Sequence, residues 1–490
     1  MKILLSTLLI LITVLSFSQT SERIIATDDN GYQYMSYYPD PLKSRTYTLT
    51  NGLKILMTVY KEEPRIQTFI AVRAGSKFDP SNHTGLAHYL EHLMFKGTEN
   101  FGTNDWGKEK PYIDEIIRLY GVYGQATDST ERLLIYKEID SLSVVASQYA
   151  IPNEYDRLLS EMGATGTNAF TSFEQTVYVN EVPSNELEKW IKTESERFSS
   201  FVPRLFHTEL ETVYEEKNRT LDSDYRQMNE SLLNGLFPTH QYGTQTTIGT
   251  VKDLKSPSIV AIQDYHDTYY VPNNMAICMS GDFDMEKAII LFDKYFSQLK
   301  PKTLPLFEYP IEDPIQEVEK REVVGPNAEM VSLGFRFEGY KEKRSMMVEL
   351  VSMLLYNGEA GMIDINLNQK QVIQGGYSYA YRLNDYSMHV LGGSPKQGQG
   401  LEEVQEELLE QIELLKQGAF DDWLLKAIVQ DYKLNQLREM QSNKARAQAL
   451  LSSFVYKLDV GTFVNEVNEL EKVTKADIVE FVTKYYNDNY

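Results

Sequence analysis

Cysteine is almost missing from this chain: Cys278 stands alone among 490 residues. One thiol makes no internal disulfide, so the fold rests on packed cores rather than covalent staples. Cys278 lies inside the apolar run Met275–Met279 and reads as a core residue. Positive charge is short as well, with 48 Lys and Arg against 70 Asp and Glu and a formal net charge of −22. That balance excludes nucleic acid and anionic membrane surfaces as partners, since both would repel the chain. After the first twenty residues no apolar run is long enough to span a bilayer. Histidine is scarce too: seven, at 83, 88, 92, 207, 240, 266 and 389. Apolar residues are not scarce, and at 42% hydrophobic the chain can bury two or three domain cores.

Residues 1–20 are the exception to the missing apolar run. One lysine, an apolar stretch and the small residues Ser16 and Ser18 follow the layout of a secretory signal peptide cleaved near Ser18. The stretch is only slightly short for a membrane span, which leaves an uncleaved anchor as the alternative. The expectation is an exported protein, periplasmic or extracellular, with no membrane attachment once residues 1–18 are removed.

Two of the seven histidines stand four apart, with a glutamate three after the first: His88, Glu91 and His92 form H-x-x-E-H. On a helix these positions share one face, so the side chains converge. Leu86, Tyr89, Leu90, Leu93 and Met94 supply the apolar remainder of a buried helix. Two imidazoles so placed can hold zinc, and the carboxylate beside them can take a proton from water that the metal acidifies. Upstream, Tyr47-Thr48-Leu49, the turn Asn51-Gly52 and Leu53–Met57 read as a hairpin, with a further strand at Gln67–Val72. Strands leading into such a helix predict a sheet with helices on one face.

The flanks of the motif carry a resemblance. Residues 85–98, GLAHYLEHLMFKGT, resemble the signature of the pitrilysin family of zinc metallopeptidases, which includes insulin-degrading enzyme and the mitochondrial processing peptidase. Stretches 163–183 and 209–218 continue it, so that it covers most of the first 300 residues. The resemblance implies a single zinc ion held by His88, His92 and a downstream glutamate, with Glu91 as general base and Glu209 as a catalytic-site group that orients and tunes the metal. Glu209 and Glu216 have the family's seven-residue spacing, two helical turns, which assigns Glu216 as third ligand; Glu215 and His207 remain its rivals. By the same resemblance Asn168 and Ala169 lie on an exposed edge strand that binds the scissile segment of a peptide substrate as an added strand. From His92 to Glu216 the chain is longer than in short relatives, and residues 99–155 account for the excess. Their periodic apolar positions predict a helical hairpin that gates or lines the substrate chamber, or merely decorates the surface.

Pro301, Pro305, Pro310 and Pro314 punctuate a linker placed at 306–316, after a peptidase domain spanning 19–305. Residues 317–490 read as a degraded repeat of the first unit. Aligning Val348–Gly358 with the motif helix puts Glu349, Ser352 and Met353 where His88, Glu91 and His92 stand, so the metal site is lost there. Ile478–Tyr490 repeats Ile262–Asn274 and ends one strand short of the first unit. The reading is an α+β protein of two homologous units, each an antiparallel sheet with helices on one face, the second degenerate and truncated. In relatives an arginine and a tyrosine from another half or subunit stabilise the oxyanion; here Lys370 stands at that spacing before Tyr377, so a second subunit or missing C-terminal half is expected as partner. The function implied is zinc-dependent endoproteolysis of peptides or small unfolded polypeptides. The alternative is a non-catalytic scaffold or peptide-binding subunit.

Overall fold

The computed structural model describes residues 22–255 and 258–490. The signal-peptide reading of residues 1–18 lies outside these. Two sheets organise the chain. The larger takes β1 (Glu22–Thr27), β2 (Gln33–Tyr38), β3 (Arg45–Thr48), β4 (Lys54–Val59), β5 (Arg65–Val72), β6 (Thr165–Thr171), β7 (Thr176–Pro183) and β8 (Met275–Gly281), in the order β1-β2-β3-β4-β8-β5-β7-β6. The smaller takes β9 (Val331–Glu338), β10 (Gly375–Arg382) and β11 (Tyr386–Ser394), in the order β10-β11-β9.

The expected hairpin is present, with Gly52 at φ +89° between β3 and β4 and the Asn51 amide donating to the carbonyls of Phe296 and Leu299. Two features depart from the reading. The large sheet is mixed rather than antiparallel, because β8 returns from over 200 residues away to lie parallel to β4 and antiparallel to β5. Nor is it covered on one face alone. Period-2 alternation sends Ile55, Met57, Ile70, Val72 and Ile277 to one side, against the motif helix Leu86–Leu93 and the helices Leu187–Ser199, Phe206–Leu221, Ile259–Tyr269 and Met285–Phe296. Leu56, Phe69, Ala71, Val177, Ala276 and Cys278 point the other way, against Leu450, Leu451 and Phe454 of the helix Asn443–Val455. Each fully buried Val, Leu, Ile, Phe or Met among them contributes about 1.5–3 kcal/mol relative to exposure. The second half of the chain therefore supplies the roof over the first half's sheet. Polar contacts fix it there: Arg446 reaches the Leu42 carbonyl at 2.9 Å, and Arg73 reaches the Phe454 carbonyl at 2.8 Å with its guanidinium 3.8 Å above the Phe454 ring.

Residues 99–155 contain the expected hairpin, helices Trp106–Gln125 and Ser129–Ser147, capped by Asp105 and Asp128. It buries Ile113, Ile116, Leu119, Tyr120 and Ile139 in the first core. The smaller sheet carries a helix, Lys343–Leu355, whose Val348, Val351 and Leu355 enter a second core with Leu333 and Leu391. Residues 306–316 form no helix or strand, but they are not a free linker: Glu312 is buried and accepts the backbone N–H of Thr239 at 2.8 Å.

Where the two sheets meet, a charged cluster is sealed in. Lys77 lies 2.7 Å from Glu174, at the β6–β7 turn, and 2.8 Å from Asp385, at the β10–β11 turn. Tyr242 donates its hydroxyl to Glu174, Asn384 donates to the same carboxylate at 2.7 Å, and His240 faces Asp385 at 3.4 Å.

Candidate metal centre

The motif helix can start where it does because Gly85 adopts φ +85°, where a Cβ would stand 2.6 Å from the Ile248 carbonyl. The buried carboxylate of Asp79 then accepts the N–H groups of Gly85 at 2.8 Å and Ala87 at 2.9 Å, at the positive end of the helix dipole. The helix Phe206–Leu221 is set against it through Tyr89, which donates its hydroxyl to the Phe206 carbonyl, the two rings sitting 4.9 Å apart. Arg204, just before Phe206, is buried against Glu109 at 2.7 Å and reaches the carbonyls of Lys96 and Thr98 at 2.9 Å each, tying the hairpin and both helices together.

This arrangement brings His88, His92 and Glu216 together, their ligand atoms all within 4.8 Å of one another. Glu216 Oε2 lies 3.6 Å from His88 Nε2 and 3.7 Å from His92 Nε2. A zinc ion about 2.0–2.2 Å from three such atoms would space them by roughly 3.3–3.6 Å. The distances are too long for hydrogen bonds, so three lone-pair-bearing atoms face one another with room for a cation. Electrostatics agrees. Burial and the neighbouring His92 pull His88 down to about 4, leaving its imidazole neutral. Burial pulls His92 down as well, but the carboxylates of Glu209, Glu216 and Glu91 outweigh it and raise its proton affinity, so the site attracts positive charge. The residues fit a zinc ion. The rivals for the third position lie elsewhere: Glu215 is exposed, and His207 Nε2 is 3.2 Å from the Tyr136 hydroxyl of the hairpin.

Glu209 stands behind the histidines. Its Oε2 lies 3.4 Å from His92 Nδ1 and its Oε1 takes a 2.6 Å ion pair from Lys96. Burial raises the Glu209 carboxyl, yet His92 and Lys96 outweigh this and hold it below the ordinary glutamate range. With Nδ1 facing Glu209, His92 presents Nε2 to Glu216. His88 has no such support, its buried Nδ1 lacking a partner among the described residues. Glu91 is buried, its carboxyl raised by burial, and its Oε2 accepts the Thr171 hydroxyl at 2.5 Å.

Thr171 ends β6, the edge strand of the large sheet, so the strand's outer side faces the centre without a neighbouring strand among the described residues. Asn168 and Ala169 pair with Val179 and Tyr178 of β7; Ala169 lines the cavity and Asn168 is exposed on the edge. That cavity, about 950 Å³, opens from His88, Glu91 and Glu216 toward Tyr225, Arg226 and the β10 residues Tyr379 and Tyr381. None of its lining comes from residues 99–155, so the hairpin braces the helices and does not line this chamber. Sequence reasoning gave no role to Thr171, Lys96, Arg204, Arg219 or Arg226. Thr171 had a signal, as the last residue of the N-A-x-T stretch, and Arg219 had one, three residues beyond Glu216.

The chain matches the family described as Insulinase (Peptidase family M16) over residues 56–137, which hold the motif, and Peptidase M16 inactive domain over residues 259–432. It belongs to this M16 family of insulinase- and pitrilysin-like zinc proteases. It is 24% identical over 482 residues to the zinc protease PqqE of Helicobacter pylori, across 96% of this chain and 95% of that protein. Insulin-degrading enzyme of Bos taurus is 27% identical over 299 residues, which are 59% of this chain and 24% of the enzyme. A protease structure from Helicobacter pylori superposes with TM-score 0.73 at 23% identity, covering 91% of this chain and 97% of that one. The periplasmic protease PqqL from Escherichia coli gives TM-score 0.68 at 17% identity, covering 93% of this chain and 47% of that chain. The chain thus spans about half of PqqL and about a quarter of insulin-degrading enzyme.

Proposed function

We propose that this chain is a zinc-dependent metalloendopeptidase acting on peptides or small unfolded polypeptides. The observation that carries the reading is the convergence of His88, His92 and Glu216 beside the buried carboxylate of Glu91. Zinc, when bound there, supplies Lewis acidity that makes water nucleophilic near neutral pH. Thr171 occupies Glu91 Oε2, which leaves Oε1 to take the proton of the attacking water and return it to the departing amide nitrogen. Glu209, braced by Lys96, holds His92 in its ligating orientation. The open edge of β6 at Asn168 and Ala169 holds the substrate as an extra strand through main-chain hydrogen bonds, with little demand on sequence. Residues 317–490 form a degenerate second repeat that walls the chamber, a reading supported by the match of residues 259–432 to the inactive domain and by the β10 residues in the cavity lining.

The chain acts after export. Among the described residues no helix is long and apolar enough to cross a membrane, and the Escherichia coli relative is periplasmic. A second half, from another chain or from further sequence, completes the chamber; the coverage of only 47% of PqqL favours this.

Zinc content and cleavage of a quenched peptide library by residues 19–490, beside Glu91→Gln, test the proposal. The expected result is one zinc per chain in both proteins, chelator-sensitive cleavage in the parent, and turnover lower by roughly a hundred- to ten-thousandfold in the variant. Absence of zinc, or substantial activity in Glu91→Gln, would sink it.

A further inference from the structure

Two arginines in the cavity wall lack partners among the described residues, in a chain with 70 acidic residues. Arg219 lies in the last turn of the helix that carries Glu216, and Arg226 in the first turn of the next helix, Asp224–Leu236. Both line the 950 Å³ cavity that contains His88 and Glu91. Neither guanidinium forms an ion pair or hydrogen bond among the described residues. Two of the carboxylates at helical spacing are engaged, whereas Glu215, four before Arg219, and Asp222, three after it, are exposed. Glu216, three before Arg219, faces the two histidines. Glu230, four after Arg226, lies 3.6 Å from the buried ammonium of Lys217. Helix stability does not account for Arg226 either, because a cation in the first turn opposes the helix dipole. Two planar, permanently charged forks therefore project into the chamber beside a centre that attracts positive charge.

We propose that Arg219 and Arg226 form a subsite that recognises a carboxylate of the substrate, so that peptides bearing an acidic group near the scissile bond are preferred. The inference rests on the peptidase reading above and names the substrate class for that site. Guanidinium and carboxylate match as bidentate hydrogen-bonding partners, and both guanidinium groups, exposed in the chamber wall, are accessible to a bound peptide. The chain as a whole, at −22, repels acidic peptides at long range. Discrimination by the subsite is therefore short-ranged, set once the peptide has entered.

The test uses C-terminally amidated quenched peptides in which Glu, Gln or Lys replaces one residue at a time on both sides of the cleavage site. The expected kcat/KM ratio of the best Glu peptide to its Gln isostere is roughly tenfold, the size of one charge-assisted hydrogen bond. The ratio should fall with added salt, approach one in Arg219→Ala/Arg226→Ala, and turn in favour of Lys in Arg226→Glu. The same peptides with free C-termini separate the sources: a preference that appears only there assigns the subsite to the terminal carboxylate, and one already present in the amides assigns it to a side chain. Anisotropy of labelled Glu and Gln peptides on zinc-loaded Glu91→Gln measures binding without turnover. Cleavage with no acidic preference, or a preference unchanged in the double variant, overturns the subsite alone. Acid-selective binding with no cleavage of any peptide keeps the subsite and overturns the peptidase reading.

Discussion

Thr171 donates its hydroxyl to Oε2 of Glu91, and that bond fixes which oxygen remains to accept a proton. Thr171→Val keeps the shape and removes the donor. A lost hydrogen bond to a charged group costs about 1.5–3 kcal/mol, so kcat should fall roughly ten- to a hundredfold with zinc retained, and Thr171→Ser should restore it. A second residue-scale prediction concerns His389, which is wholly buried between the Ser378 hydroxyl at 2.6 Å and the Tyr486 hydroxyl at 2.7 Å. Burial pulls it down to about 3 from the ordinary 6.5, so the folded state holds it neutral. Its contribution is therefore complete above pH 6.5 and is lost as pH falls toward about 3. Each pH unit inside that window removes about 1.4 kcal/mol. Denaturant midpoints measured from pH 7 to 4 should fall more steeply for the parent than for His389→Gln. The candidate trio was legible because histidine is scarce and because the family resemblance singles out Glu216 by its two-turn spacing from Glu209. Arg219 and Arg226 were not: what distinguishes them is that both line the cavity that holds His88 and Glu91, a fact of three dimensions.

Among the elements, the β6–β7 turn is the one on which the most depends, since it ends the strand that carries Thr171. Lys77 holds it to the β10–β11 turn through Glu174 and Asp385, with both ion pairs sealed from water. Removing the cation strands two carboxylates. Lys77→Met should therefore cost about 3–5 kcal/mol in chemical denaturation, and the triple variant Lys77→Met/Glu174→Gln/Asp385→Asn should recover much of that loss. Equal destabilisation of both would show that the charges are not the issue. The elements themselves were unequally visible. β5 was read as a strand from its apolar run, and the motif helix from its period. β1 escaped notice because Glu22–Thr27 is almost wholly exposed and has no buried face to pattern its sequence. β10 escaped because Gly375–Arg382 alternates tyrosine with small residues rather than apolar with polar. The parallel pairing of β8 with β4 joins segments over 200 residues apart, and no local pattern encodes such a partner.

At the scale of the molecule the two halves are not separable. The helix Asn443–Val455 covers the face of the large sheet that carries Leu56, Phe69 and Cys278, so residues 22–305 alone would expose a continuous apolar surface. Expressed alone, that segment should aggregate or lose cooperative unfolding in size-exclusion and circular dichroism experiments; a stable monomer would contradict the role given to this helix. The boundary near 305 marks a change in local sequence, whereas the core crosses it. The scarcity of cysteine then acquires a use. Cys278 sits under this helix, fully buried, its thiol pushed up by burial and so held in the unreactive protonated form. Its modification by a thiol reagent requires the roof to lift. Where reclosing outpaces labelling, the observed rate divided by that of an exposed thiol equals the opening equilibrium constant. The single thiol is thus a built-in clock for the contact between the two halves, and its rate with and without a bound peptide would report whether filling the chamber tightens the molecule as a whole.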